Sequence, residues 1–321
     1  MRVTESARIA GTTSPLRSRP AVRHFLEGPA LSPADLSMVL LVTAEAADRP
    51  MPTVTLEQIP SVMRETAALG IRSVKLFAES AARDATGEAS HRSDSLMARA
   101  IRSAKEAEPS IAVMTETCLC SYTADGVCYL TDRYGRPDVP ATVDVTARQA
   151  VVHAEAGADI VGPASMVLGT TRGARLALDG TGHESVSVMP HVIFWSSLYD
   201  GFRLTMGATP KAGVDREFQI NPGRPEQFVD SALKLVSDGA DMLLLEPALF
   251  CADVLRELQT RTLVPLAPFS VSGEYNALTD VESDTGRRDV RKLVELFTML
   301  KRAGAAASIT YAALDIARQL G

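Results

Sequence analysis

The stretch Val145-Thr146-Ala147-Arg148-Gln149-Ala150-Val151-Val152-His153-Ala154-Glu155-Ala156-Gly157-Ala158-Asp159-Ile160-Val161-Gly162 contains one complete joint of the chain. A helical pattern runs to Ala156, a glycine follows, and an apolar, β-branched run opens at Asp159. Glycine just past a helix supplies the left-handed backbone at no steric cost. A continuous apolar run suits a parallel strand covered on both faces. The joint recurs at Leu69-Gly70-Ile71, Asp238-Gly239-Ala240-Asp241 and Ala303-Gly304-Ala305. Outward from these joints, strands are predicted at Met38–Thr43, Ser73–Phe77, Ile111–Thr115, Asp159–Gly162, Val186–Ile193, Met242–Leu245, Val264–Phe269 and Ala307–Thr310. Helices are predicted at Leu56–Leu69, Ser93–Ala107, Val145–Ala156, Glu226–Ser237, Ala252–Thr260 and Val290–Arg302. Strands joined by helical crossovers predict an α/β fold, a (β/α)8 TIM barrel over residues 37–321. An open doubly wound sheet is the competing arrangement, but no GxGxxG and no P-loop supports it. Residues 1–36 lie outside the pattern and carry Pro15, Pro20, Pro29 and Pro33. They read either as a frayed tail or as an N-terminal arm making oligomer contacts.

Composition narrows the function classes. The chain has 321 residues, 46% apolar and 22% charged, enough to bury a large core. A net charge of −6 argues against nucleic acid or an anionic membrane surface as a bulk partner. Met1–Pro20 lacks the apolar core of a secretion signal, and runs such as Met38–Val42 and Met242–Leu245 are too short to span a bilayer. The expected location is the cytoplasm. In a reducing compartment the four cysteines are expected to be metal ligands or buried thiols rather than disulfides.

In a barrel, functional groups gather at the C-terminal ends of the strands. The third strand leads into Thr115-Glu116-Thr117-Cys118-Leu119-Cys120-Ser121-Tyr122, and Cys128 follows. The spacing C-x-C-x7-C puts three thiols on one loop. Zinc favours thiolates, and three protein ligands leave a fourth position for water or substrate. The ordinary alternative is three inert buried thiols. Other strand ends present Glu246, Ser272 and Tyr311. Tyr199, Arg203, Arg216 and Gln219 lie on a long segment after the fifth strand, which can act as a lid. Arg203 and Arg216 over a barrel mouth suit a small carboxylated substrate, since guanidinium binds carboxylate through two parallel hydrogen bonds. Solvated surface arginines are the alternative.

These motifs together resemble the 5-aminolevulinate dehydratase (porphobilinogen synthase) family over nearly the whole chain. The matching stretches are Leu31-Ser32-Pro33-Ala34-Asp35-Leu36, the cysteine loop, His153 to Val161, Gly239-Ala240-Asp241-Met242, Glu246-Pro247-Ala248-Leu249, Val271-Ser272-Gly273-Glu274-Tyr275 and Lys301-Arg302-Ala303-Gly304-Ala305. The resemblance implies the barrel, an N-terminal arm embracing a neighbour and a homo-oligomer, typically an octamer. It also implies zinc on Cys118, Cys120 and Cys128, and a substrate site that includes Phe77, Tyr199, Phe202, Arg203, Arg216, Gln219, Ser272 and Tyr311.

The sequence departs from the family where the family forms its two imines. The lysine expected before Pro-Ala-Leu is Glu246, and the one after the fifth strand falls at Ile193 or Phe194. Neither a carboxylate nor a hydrocarbon forms a Schiff base. The family's Pro-Ser-Asp-Met-Met-Asp-Gly-Arg is Pro163-Ala164-Ser165-Met166-Val167-Leu168-Gly169-Thr170 here, and a tyrosine is replaced by Phe269. The leading expectation is therefore a zinc lyase with altered chemistry: a condensation, dehydration or carbon–carbon cleavage on a small carboxylated keto or amino acid. Glu246 would be its general acid or base, and little or no porphobilinogen would form. A non-catalytic paralogue and an authentic porphobilinogen synthase are the alternatives. Of the six lysines, Lys75 alone interrupts a predicted strand. Period-two alternation puts it on the face of Phe77, one step deeper in the barrel. There it would either form a relocated imine or pair with Glu116 or Glu246.

Overall fold

A computed structural model describes residues 18–28, 30–211, 217–283 and 286–321. The chain divides into two units, Met1–Leu31 and Ser32–Gly321. In the first, a short helix spans Pro20–Phe25 with proline at its start, where the missing N–H is no loss. The second unit begins five residues before the expected boundary, because Asp35 already belongs to it. The Asp35 carboxylate accepts from the Ser32 N–H and Oγ–H at 2.8 Å each and from Lys301 Nζ at 2.7 Å. Two of the matched motifs are thereby joined.

The second unit is the barrel. Its parallel strands are β1 (Leu36–Val42), β2 (Ser73–Ala78), β3 (Ala112–Thr117), β4 (Ile160–Pro163), β5 (Ser187–Val188), β6 (His191–Ile193), β7 (Leu243–Glu246), β8 (Leu266–Ser270) and, after the two-residue ribbon β9 (Asp280–Val281) and β10 (Arg288–Asp289), β11 (Ser308–Thr310). The order is β5-β4-β3-β2-β1-β11-β8-β7-β6. β5 and β6 are two halves of one predicted strand, broken at Met189-Pro190. The lower half bonds β4 and the upper half bonds β7, which closes the ring.

Alternation along the strands sorts side chains as expected. Leu40, Val42, Val74, Leu76, Val113, Val161 and Val188 face outward, into a core with Met63, Ile101, Ala104, Ala150 and Ala154 of the surrounding helices. The intervening positions, among them Lys75, Phe77, Glu116, His191 and Glu246, point into the barrel. No helix among the described residues is long and apolar enough to cross a membrane.

Helices also form where none is predicted at Asp200–Thr205, Ser272–Leu278 and Ala313–Leu320, and two further differences arise through residues that usually break helices. The helix predicted from Val145 begins at Val139, with Pro140 in its first turn and the Asp138 carboxylate capping Ala141 N at 3.0 Å. No element is predicted at Thr170–Gly180, yet a helix forms there. Its Gly173 is a packing residue: a Cβ would meet Val143 Cγ1 of the preceding helix at 2.7 Å.

The repeated Gly-Ala-Asp joints have a second role. Asp159 accepts from Val113 N at 2.8 Å and from Lys105 Nζ at 2.9 Å, while Asp241 accepts from Val188 N at 2.8 Å. Each aspartate latches the start of its strand to the preceding strand. Asp159→Ala and Asp241→Ala should each cost about 1–3 kcal/mol in urea unfolding. The two losses should add in the double variant, since the latches share no partner.

Candidate functional site

The inward side chains at the top of the barrel line one cavity with about 100 Å³ of room for water centres. That exceeds the roughly 10–15 Å³ one water needs and accommodates a small organic acid. One wall is aromatic: Phe202, Phe77, Phe269 and Tyr311 follow one another with ring centroids 5.2, 6.0 and 5.8 Å apart. The loop after β3 supplies another part of the lining, where the Cys118, Cys120 and Cys128 sulfurs all lie within 4.8 Å of one another. Cys118 and Cys120 are 3.5 Å apart, and Gln149 Nε2 fixes the loop by donating to the Cys118 carbonyl at 3.0 Å.

The donor set fits a divalent metal. Sulfurs bound at about 2.3 Å in tetrahedral geometry lie somewhat under 4 Å apart. Without an ion, three adjacent thiolates repel. The Cys120 thiol is held well below its usual range, chiefly by hydrogen bonds from Cys118 and Cys128 and then by Arg203 and Arg83. Cys118 and Cys128 are pushed up. A bound dication removes that conflict.

Arg203 lines the cavity beside the thiols and stands 5.5 Å from the Tyr199 ring centroid. Its ion pair with Asp200 is long, 3.5 Å, so the guanidinium retains donors for a substrate carboxylate. Tyr199 is tied back by its hydroxyl to the Phe194 carbonyl at 3.0 Å. The Gln219 side-chain oxygen is buried with no hydrogen-bond partner at the cavity wall, an acceptor suited to a substrate N–H. Arg216 lies outside the described residues.

Glu246 and His191 form part of the floor, with Glu246 Oε1 2.9 Å from His191 Nδ1. Burial pushes the Glu246 carboxyl up to about 8, against the pull of Lys75. Burial and then Lys75 hold His191 well below the usual imidazole range, so the ring is neutral. Glu116 also lines the cavity and is pushed well up, first by burial.

Two residues expected to act on a substrate do not line the cavity. Ser272 Oγ donates to the Leu198 carbonyl at 2.9 Å and accepts from Phe202 N at 3.0 Å. It clamps the Leu198–Arg203 segment from behind. Lys75 is fully buried beneath the cavity and makes no direct ion pair with Glu116 or Glu246. Its Nζ bonds the Thr115 carbonyl and His191 Nε2, both at 2.9 Å. Sequence reasoning passed over His191, although it stands two residues before Ile193 and so shares its inward face.

The family model for delta-aminolevulinic acid dehydratase matches residues 12–319. The chain belongs to the delta-aminolevulinic acid dehydratase family. It is 36% identical to the delta-aminolevulinic acid dehydratase of Escherichia coli K12 over 317 residues, covering 95% of this chain and 96% of the relative. Identity to the Bacillus subtilis enzyme of that name is 31% over 313 residues, covering 95% and 96%. Among solved structures, the dehydratase of Toxoplasma gondii ME49 in complex with its reaction product porphobilinogen matches with a TM-score of 0.88. It is 28% identical, over 96% of this chain and 91% of that one.

Cobalt(II) tests the thiol centre. One equivalent should bind with thiolate charge-transfer absorption, and binding should weaken on acidification as the sulfurs are protonated. Cys118→Ala, Cys120→Ala or Cys128→Ala should each abolish the absorption.

Proposed function

We propose that the protein is a zinc-dependent lyase of the aminolevulinate dehydratase type, acting on a small carboxylated amino ketone, with 5-aminolevulinate the first candidate. The supporting observation is the cavity itself: one guanidinium, one unpartnered amide oxygen, three convergent thiols and a protonated carboxyl around a space sized for such a molecule. The comparisons favour the reaction for which the relatives are named and lend no support to an altered one.

The residues divide the work. Arg203 holds the carboxylate, and Gln219 Oε1 accepts from the substrate amine. The aromatic wall excludes water. Cys118, Cys120 and Cys128 would hold zinc, which would supply a Lewis acid there. Glu246, protonated at neutral pH, gives a proton to a departing hydroxyl. Tyr311, pushed up by burial, stays protonated as a hydrogen-bond donor. A second reading, the same binding site with a different keto acid as substrate, rests on one observation: position 246 carries a carboxyl group rather than an amine. We also propose cytoplasmic location and homo-oligomerisation through the N-terminal arm, where Phe25 and Leu26 are exposed. Deleting residues 1–30 should lower the mass in light scattering.

Incubation with 5-aminolevulinate and zinc should yield porphobilinogen by mass spectrometry, more slowly than the Escherichia coli enzyme assayed alongside. Borohydride should trap no adduct at residue 193 or 246. Turnover confined to other keto acids would establish the second reading, and no turnover of any would overturn both.

Glu246 sets the pH dependence. The folded carboxyl keeps its proton to about pH 8, whereas the unfolded one loses it near the usual 4.5. Between those values the folded state binds the extra proton, so this group makes stability fall as pH rises. Wild-type Tm should therefore drop relative to Glu246→Gln from about pH 5 to about pH 8. In turnover, the acid is lost through about pH 8, and Glu246→Gln should lower kcat by about 10²–10⁴-fold and remove that alkaline limb.

A further inference from the structure

Lys75 and Glu246 stand on strands separated around the ring, and His191 bridges them. The contacts run Thr115 carbonyl, Lys75 Nζ, His191 Nε2, His191 Nδ1, Glu246 Oε1, each intermolecular-style step being 2.9 Å. An ammonium can only donate, so with Lys75 charged, His191 accepts at Nε2 and carries its proton on Nδ1, which donates to the Oε1 oxygen of the Glu246 carboxyl group. Only Glu246 and His191 face the cavity; Lys75 is sealed below. The barrel makes room for it at Gly162 of β4, where a Cβ would lie 2.7 Å from Nζ and 2.9 Å from the Met189 and Thr115 carbonyl oxygens. Gly162 has no positive φ to explain a glycine there.

We propose that Lys75, His191 and Glu246 form a proton relay in which Lys75 is a positioning and proton-storing residue that reloads Glu246 through the His191 ring. After Glu246 has given its proton to the departing oxygen, Lys75 passes a proton to Nε2 as Nδ1 passes its own to Oε1. One proton moves from lysine to carboxylate. The imidazole stays neutral and exchanges one tautomer for the other, and Lys75 is left as the amine. When water re-enters, the reverse shift returns that proton from Glu246 to Lys75 through the ring, and a solvent proton then reprotonates the Glu246 carboxylate.

The two ends are matched for this exchange. Burial lowers Lys75 to about 8, opposed by Glu116 and Glu246, while Glu246 is raised to about 8. Arg203 and Glu274 also act on Glu246, and Lys75 acts on His153, whose Nδ1 lies 3.0 Å from Thr115 Oγ1. The catalytic part of the relay rests on the proposed lyase function, but its proton arrangement is a property of the free protein.

Histidine-selective 15N NMR of the full chain reads that arrangement directly. His191, assigned by its loss in His191→Gln, should be neutral at pH 7 with its proton on Nδ1, and its ring shifts should move between the two tautomer limits as the pH rises past about 8. In Lys75→Met the ring should hold its proton on Nδ1 alone above that pH. An imidazolium at pH 7, an Nε2 proton at pH 7, or a tautomer exchange above about pH 8 that is indifferent to Lys75→Met would overturn the relay whatever the substrate proves to be. In rapid-quench assays with the substrate identified above, Lys75→Met should keep the first turnover and lose about 10²-fold in the steady state. Equal loss in both phases would mean that Lys75 is merely structural. Absence of any turnover in the wild type would sink the lyase reading alone, leaving the NMR result to decide the relay.

Discussion

A single ammonium buried inside the barrel is the constraint around which the site is arranged. Lys75 has no water to solvate it, and an unpaired interior charge costs several kcal/mol. The structure answers with a backbone carbonyl, an imidazole nitrogen, a nearby aromatic face 5.6 Å from Nζ, and two carboxyl groups acting over longer range. Each answer fixes something else. The imidazole must stand at 191 and carry its proton toward Glu246. Position 162 must lack a side chain. The carboxyl at 246 acquires a proton affinity suited to neutral pH. The chemistry of the floor therefore follows from holding one charge.

Much of this was legible before any coordinates. The Gly-Ala-Asp joints gave away the helix ends because only glycine sits comfortably at positive φ, as Gly157 and Gly239 do at 103° and 100°. Alternation placed Lys75 inside and beneath Phe77. The thiol spacing brought three sulfurs together. What stayed hidden was tertiary. Gly173 and Pro140 are helix breakers by propensity, yet one is needed for close helix packing and the other is harmless in a first turn. Ser272 carries an expected substrate-binding hydroxyl, but local backbone groups at 198 and 202 claim both its bonds. His191 drew no notice because nothing in its immediate sequence says that a lysine from β2 and a glutamate from β7 converge on its two nitrogens.

Family membership and local chemistry answer different questions here. Whole-chain similarity accounts for the family and the barrel. It does not account for the floor, where this chain has a carboxyl at 246 and a hydrocarbon at 193. The floor is nevertheless ordered: its buried groups are partnered in sequence from β2 to β7. A pocket left to drift would not keep three polar residues from separate strands within hydrogen-bonding distance of one another.

The break at Met189-Pro190 has a mechanical consequence. Below it the fifth strand is bonded to β4, and above it the described residues show no ladder between β4 and β6; the Ile193 N–H instead meets the soft sulfur of Met166 at 3.1 Å. The ring is thus laddered at its base and lacks backbone pairing along one line at its rim. That line passes beside Ser165, His191 and Ile193, all on the cavity lining, while Asp159 and Asp241 bond the lower turns to the neighbouring strands.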